Sequence, residues 1–303
     1  MTPPVRPAEV RGARDLVTLW RALPVGALSY PAAALPSGLG LSALSDTLRA
    51  RAWRDHCAAP ASESCADLGR SCTRSDTVRC RADALFPMKI GGGAPAWRMA
   101  TLAVQWRPAL AQLRVIALGE TARGMLGWAA RCLHQYHGLV GAEPLGIATL
   151  GDLELTGATR WRLTFLTPWL VGKNPREAVA TPDAATVAYE LHKAIRIRAH
   201  KVTALCAGDE TWQRLGGHLA HHVAGLLLPG GLAVEGVRVE SQPLELKSQG
   251  NASRFQAITW SGEAVLRVDA DVLPWLSLIA ICGGGENADK GFGGVELVPL
   301  QDG

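Results

Sequence analysis

No window of the chain approaches the run of about 18 uninterrupted apolar residues that a membrane-spanning helix needs. Its first stretch, MTPPVRPAEVRGARD, lacks the apolar core of a secretory leader. These absences predict a soluble cytoplasmic protein with no membrane partner, and they predict reduced thiols for its seven cysteines. Four of those, Cys57, Cys65, Cys72 and Cys80, are separated by seven, six and seven residues. A structural zinc site usually starts from a C-x2-4-C knuckle, because two ligands on one tight turn fix half of a tetrahedron. That knuckle is missing, so no metal is expected. The phosphate loop GxxxxGK[ST] is missing as well, and no cofactor is expected. Charge of one sign is scarce too. Lys and Arg number 31 against 27 Asp and Glu, a net charge of +4, so nucleic-acid binding would need its cations clustered.

What is present is apolar and arginine-rich. With 48% hydrophobic residues in 303, the chain has material for a sizeable core and a natural length for two domains. Arginine, which supplies most of the basic residues, suits bidentate phosphate contacts, although a biased coding sequence would give the same excess. The boundary is expected within 138–151, where Gly and Pro punctuate the chain, which gives an N-terminal domain over 1–140 and a C-terminal one over 150–303.

Along the chain, β-branched residues between Leu16 and Leu23 predict the first strand, bounded by Pro24 and Gly26. Leu41, Leu44, Leu48 and Ala52 recur at helical spacing and predict a helix from Ser42 to His56, with Arg49, Arg51 and Arg54 on its other sides. The four-cysteine stretch, within an insertion over about 45–95, also carries Arg70, Arg74, Arg79 and Arg81. It could grip a nucleic acid or be an ordinary solvated surface. Strands are expected over 97–102, 103–107 and 113–118, then a helix over 119–137 with Met125, Leu126, Ala129, Ala130 and Leu133 buried. His134 and His137 fit surface histidines better than ligands.

In the second half, 153–155 and 160–166 predict a hairpin, and Lys173 and Arg176 stand beside a strand end where a phosphate could be met. Thr181, Pro182 and Asp183 form a helix start, as cap, first-turn proline and acid. The helix to Cys206 has Val187, Leu191, Ile195, Val202 and Leu205 in one arc and Lys193, Arg196 and His200 on the opposite side. That basic stripe is either solvated surface or a track for a nucleic-acid backbone. A further helix over 209–228 is expected to bury Trp212, Leu215, Leu219 and Val223, leaving His218, His221 and His222 to solvent. Alternating strands finish the chain at 234–240, 244–247, 253–259 and 263–268.

The C-terminal stretch is the most distinctive. An apolar segment runs into GGGENADKGFGGVEL, with Gly283, Gly284, Gly285, Gly291, Gly293 and Gly294 around Lys290. Such a loop lets a partner approach backbone N–H groups, and an anion is the natural guest. A dinucleotide fingerprint should open a helix in an early βαβ unit, whereas here a strand follows. The pattern therefore predicts a glycine clamp between the last helix and the last strand. A nucleotide-dependent enzyme using GGGENA as its phosphate loop is a lower-ranked alternative.

This ending, together with WSGEAV (Trp260 to Val265), RWRLTFLTP (Arg160 to Pro168) and SRFQ (Ser253 to Gln256), resembles the CRISPR-associated repeat-cleaving endoribonucleases of the RAMP superfamily. The likeness covers residues 150–300 well and the first half loosely. It implies an α+β fold of tandem ferredoxin-like (RRM-like) domains, with CRISPR repeat RNA or crRNA as ligand and other CRISPR effector subunits as partners. It also implies metal-independent cleavage by 2′-hydroxyl attack, leaving 2′,3′-cyclic phosphate and 5′-hydroxyl ends. A non-catalytic RAMP subunit that binds crRNA within an effector complex is the rival.

In that family the first strand and first helix commonly supply catalytic residues. His56 is therefore the candidate base, with Arg49, Arg54 and Arg21 to stabilise the phosphorane. The implied RNA contacts are the six glycines with Lys290, Lys173, Arg176, Lys193, Arg196 and Arg254, and Arg74 and Arg79 of the insertion. Many members of the resembling branch have a histidine just before the C-terminal glycines, where this chain has Ile281 and Cys282. That departure, together with the arginine-rich insertion, points to a divergent branch, such as one serving a type IV complex.

Overall fold

The computed structural model describes residues 10–31, 33, 40–56, 82, 85–86, 99–172, 181–206, 210–247, 254–284 and 293–301. Its first element corrects the sequence expectation. The segment expected as a strand is helix α1, Ala13–Arg21. Leu16, Val17, Leu19 and Trp20 are buried while Arg14, Thr18 and Arg21 are exposed, which is a helical rather than a two-residue period. Asp15 fixes its start by accepting from the Arg11 N–H at 2.8 Å. The β-branched pair Val17 and Thr18 is thus overridden by the packing of this arc.

The first unit follows as β1 (Val25–Pro31), α2 (Leu41–His56), β2 (Leu102–Arg107), β3 (Gln112–Leu118), α3 (Glu120–Arg123), α4 (Leu126–His137) and β4 (Glu143–Leu145). Its sheet has the order β2-β3-β1-β4 with every pairing antiparallel. The helix expected as one piece over 119–137 is broken at Gly124 and Met125. β4, inside the stretch expected as a connection, completes this sheet.

The second unit repeats the plan. It consists of β5 (Arg160–Gly172), α5 (Ala184–Cys206), α6 (Glu210–Gly231), β6 (Leu232–Lys247), β7 (Arg254–Val268), α7 (Leu273–Cys282) and β8 (Val295–Pro299). The order β6-β7-β5-β8, again antiparallel, matches the first sheet strand for strand. Both units are βαββαβ repeats, so the fold is α+β with tandem ferredoxin-like halves, α6 being an addition to the second. The hairpin expected from 153–155 is absent. Leu153 ends a 3-10 turn, Leu150–Leu153, closed by a capping box between Thr149 and Asp152, and Glu154 and Leu155 follow it outside any strand.

Alternation along the first sheet divides the core. Tyr30, Leu113, Val115 and Ala117 pack with Leu44, Leu48 and Ala52 of α2 and with α4. Val25, Ala27, Ile116 and Leu118 point the other way, into a core shared with α1 and the second unit. The units are joined at this seam: the Trp20 indole N–H donates to Thr203 Oγ1 at 2.8 Å, and its ring meets Trp275 edge-on at 4.6 Å. Each fully buried large apolar side chain contributes about 1.5–3 kcal/mol, which makes the seam a substantial interface. Helix α7 is apolar on every side and buried at every residue but Pro274, as a helix wedged between two layers must be. Its one hydroxyl, on Ser277, donates to Leu273 O and accepts from the Leu155 N–H.

Two helix details differ from expectation. The cap of α5 is Asp183, whose carboxylate accepts the Thr186 N–H at 2.7 Å, rather than Thr181. Among the described side chains of α6 the buried hydrophobics are Ala220, Ala224 and Leu228, while Leu215 and Leu226 are 58% and 72% exposed and Trp212 lies outside the described side chains. Small residues win that face because Gly217 lies against the His200 ring of α5, a separation that a larger side chain would not allow.

Candidate nucleic-acid interface

Where α7 ends, the chain crosses the seam. Gly283 leaves the helix with φ 70°, and its carbonyl accepts from Nε of the buried Arg198 at 2.7 Å. The Gly284 N–H donates to Gly293 O at 2.8 Å, Gly293 N–H to Pro168 O at 3.0 Å, and Gly294 N–H to Thr167 Oγ1 at 2.8 Å. A β-carbon on Gly284 would overlap the Trp169 indole, and one on Gly293 would overlap the Gly284 carbonyl. Gly283, Gly284, Gly293 and Gly294 do form a clamp between the last helix and the last strand. The donors of Gly284, Gly293 and Gly294 are nevertheless spent on the fold, which corrects the expectation that they face a phosphate. Gly285, Lys290 and Gly291 lie outside the described residues.

Beside the clamp an open cleft separates the edge of the first sheet from the second unit. Leu41, Ser45, Gln105, Arg107, Thr167 and Gly294 are among its lining residues. The Gln105 side chain reaches across: its Nε2 donates to the carbonyls of Ala280 and Ile281, closing the C-terminus of α7. Burial lowers the Arg107 guanidinium from its ordinary value, the charge of Arg114 adds to the drop, and Glu296 opposes it. Burial lowers Arg114 as well. The Cys282 thiol is pushed up to about 11 by burial, against the charge of Arg198, so it is no nucleophile at neutral pH. Two half-buried arginines and one fully buried one thus stand near the clamp. Such a site can attract and orient an anion.

The expected catalytic set is not brought together. Arg49, Arg54 and His56 share α2, which packs on the outer face of the first sheet, whereas Arg21 ends α1 on the inner face. Arg21 is held by Glu154 at 2.9 Å, and that hydrogen bond raises its pKa. Arg49 lies 3.8 Å from Asp46, Arg54 is exposed, and the His56 ring meets Trp128 edge-on at 4.9 Å. Only the start of α2 lines the cleft. At a rise of about 1.5 Å per residue, His56 lies roughly 16 Å further along the axis than Ser45.

The basic stripe of α5 is not an outer face. Lys193 pairs with Glu190 at 3.2 Å, Arg196 lies over Gly225 and 3.4 Å from His221 Nδ1, and His200 lies 5.2 Å and 6.5 Å, ring to ring, from His218 and His221. Helix α6 therefore covers most of it. Burial first, then the charges of His218, His221 and Lys201, lower the His200 imidazole to about 4. The expected surface histidines of α4 are engaged: His134 Nδ1 is 3.3 Å from Leu139 O and His137 Nε2 is 2.7 Å from Thr47 Oγ1. Among the described residues no three His, Cys, Asp or Glu side chains could hold a metal ion. No described helix is long and apolar enough to cross a membrane.

Arg254 opens β7 opposite Lys247 in the long β6–β7 ladder. Lys173, Arg176, Arg74, Arg79 and the four spaced cysteines lie outside the described residues. Sequence reasoning missed Gln105, Arg107, Arg114 and Arg198. The signal was there for the first three, since they are the polar members of alternating strands that were read only for their apolar members. Nothing marked Arg198, which interrupts the apolar arc of α5.

Strand order and register make this a protein of two tandem ferredoxin-like units, with a glycine clamp and an arginine-bearing cleft at their junction. No family model and no curated protein matches the chain. Among solved structures, two Cas6 product complexes are similar at 15% identity. One covers 91% of this chain and 100% of its own with a TM-score of 0.43, the other 91% and 99% with 0.46. A Cas6-related protein from Pyrococcus furiosus is similar at 11% identity over 92% of this chain and 100% of its own, with a TM-score of 0.38. The assignment of the fold rests on the sheet topology, independently of these likenesses.

Proposed function

We propose that this protein is a metal-independent endoribonuclease that cleaves CRISPR precursor RNA at its repeats and retains the crRNA 3′ hairpin. The observation that carries the proposal is the glycine clamp at the seam of two ferredoxin-like units, in the stretch whose sequence resembles the repeat-cleaving RAMP proteins. Guanidiniums in the adjoining cleft supply the concentrated positive charge that a net charge of +4 does not. The ribose 2′-hydroxyl attacks the neighbouring phosphate in line and expels the 5′-oxygen, which takes a proton from water, giving a 2′,3′-cyclic phosphate and a 5′-hydroxyl. His56 takes the hydroxyl proton, and Arg49 and Arg54 on the same helix hold the charge of the phosphorane. RNA is also held by Lys290, Gly285 and Gly291 of the clamp, by Lys173, Arg176 and Arg254, and by Arg74 and Arg79. In the cell the protein works in the cytoplasm with other CRISPR effector subunits. The type IV placement rests on Ile281 and Cys282 standing where a histidine precedes the glycines, together with the arginine-rich insertion.

A specific observation favours a second reading. His56 stands far along α2 from the clamp, as a non-catalytic subunit binding crRNA would allow. Incubating the pure protein with labelled repeat RNA in EDTA separates the two. A product ending in cyclic phosphate is expected of the enzyme, and tight binding without product is expected of the subunit. Absence of both would overturn RNA recognition itself.

A further inference from the structure

The inner face of the first sheet changes character along its length. Ala27 and Ile116 belong to the shared core, but the next inward positions hold Ser29, Gln105, Arg107 and Arg114. Gln105 and Arg114 are direct cross-strand partners, and Arg107 is the diagonal neighbour of Arg114, about 7–8 Å away at the Cβ atoms or less. Two like charges on one partly buried face repel, and both guanidiniums are further penalised by burial. The charge of Glu296 opposes this penalty at Arg107.

The polar atoms between them are incomplete. Nε of Arg114 is buried and has no hydrogen-bond partner, and the same holds for Oε1 of Gln105. The amide cannot simply turn over, because its Nε2 is committed to two carbonyls of α7. A cationic donor and a neutral acceptor thus stand side by side on one face without meeting each other, at the edge of an open cleft that Gln105 and Arg107 line. Unmade hydrogen bonds at buried groups are costly, and like charges are not gathered for stability. A guest complementary to this face would offer an anion to Arg107 and Arg114 and a hydroxyl donor to Gln105. A ribonucleotide carries both on adjacent groups, and a deoxyribonucleotide lacks the second.

We propose that Gln105, Arg107 and Arg114 form a ribose-phosphate subsite in the cleft between the two units, the arginines holding a phosphodiester and Gln105 Oε1 accepting the 2′-hydroxyl. The identity of the guest as RNA rests on the function proposed above, while the anion-plus-hydroxyl chemistry rests on the cleft itself. The subsite gives the protein a means of telling RNA from DNA remote from any cleavage step.

The test compares the protein with its Arg107→Gln/Arg114→Gln variant in binding labelled repeat RNA and a set of the same RNAs with single 2′-deoxy substitutions. The variant is expected to bind at least tenfold more weakly near 0.15 M salt. Its plot of log affinity against log salt should be shallower by about one, as the loss of a neutralised phosphate dictates, and its melting temperature should be maintained or raised. One 2′-deoxy position should weaken binding several-fold in the parent and have no effect in the variant. Equal affinity and slope, or a 2′-deoxy effect that persists in the variant, overturns the subsite. If the parent binds no RNA, the proposed function fails on its own, and ribose 5-phosphate becomes the probe. A rise in melting temperature with millimolar ribose 5-phosphate that the variant loses upholds the subsite, and no rise overturns it.

Discussion

Gly284 and Gly293 face each other so closely that the carbonyl oxygen of Gly284 occupies the space a β-carbon on Gly293 would need. The Gly284 N–H closes the contact on the Gly293 carbonyl at 2.8 Å, and Gly293 has φ +66°, where side-chain-bearing residues are strained.

Replacing Gly293 with Ala is therefore expected to destabilise the protein by about 1–3 kcal/mol through backbone strain, with the overlap adding to it. For a chain of this size that corresponds to a fall in melting temperature of several degrees. Gly284→Ala should act in the same direction by pushing on the Trp169 ring. A thermal melt measures both, and unchanged transitions would show that the clamp relaxes freely. RNA affinity should fall with stability in these variants rather than ahead of it.

The α5–α6 contact carries a pH dependence. The His200 imidazole sits at about 4 in the folded protein because burial and the charges of His218, His221 and Lys201 disfavour its protonated form, with Arg196 also in the contact. Its ordinary value is near 6.5, so between those limits the unfolded chain binds more protons than the folded one. Stability from this group is full above about 6.5 and is lost as pH falls toward 4. His192 and His221, which burial also lowers, act with the same sign. Melting temperatures between pH 7.5 and 5 should decline, and His200→Asn should flatten that decline. An identical slope in the variant would remove His200 as the cause.

His56 is the exposed point of the proposed chemistry. Its replacement by Ala should leave repeat binding nearly unchanged and slow cleavage by about 10²–10⁴, the usual worth of general acid–base catalysis. Single-turnover cleavage of labelled repeat RNA reads this directly. A parent-like rate in His56→Ala, with loss of cleavage in Arg49→Ala or Arg54→Ala, would move the catalytic role to the arginines. Arg21→Ala is expected to cleave at the parent rate, since Arg21 lies on the opposite face of the first sheet and is bound to Glu154.

Local pattern alone determined much of this protein. Helical spacing of Leu44, Leu48 and Ala52 placed α2, and alternation placed β3. The six glycines around Lys290 announced a clamp before the last strand, because only glycine tolerates the backbone geometry found at Gly293. Where the pattern failed, a tertiary partner had overruled it. Val17 and Thr18 favour a strand, yet Trp20 and its neighbours bury as a helix against Thr203 and Trp275. The stripe of α5 has the composition of an outer surface, yet its Arg196 and His200 are covered by α6, since Gly217 lets that helix approach. Most of all, the sequence places Gln105, Arg107 and Arg114 on two separate strands with no shared motif. Antiparallel register set them side by side, and the C-terminus of α7, far away in the chain, fixed the direction of the Gln105 amide. Long-range pairing of that kind has no local signature, because each residue's role is decided by an element that its own segment does not contain.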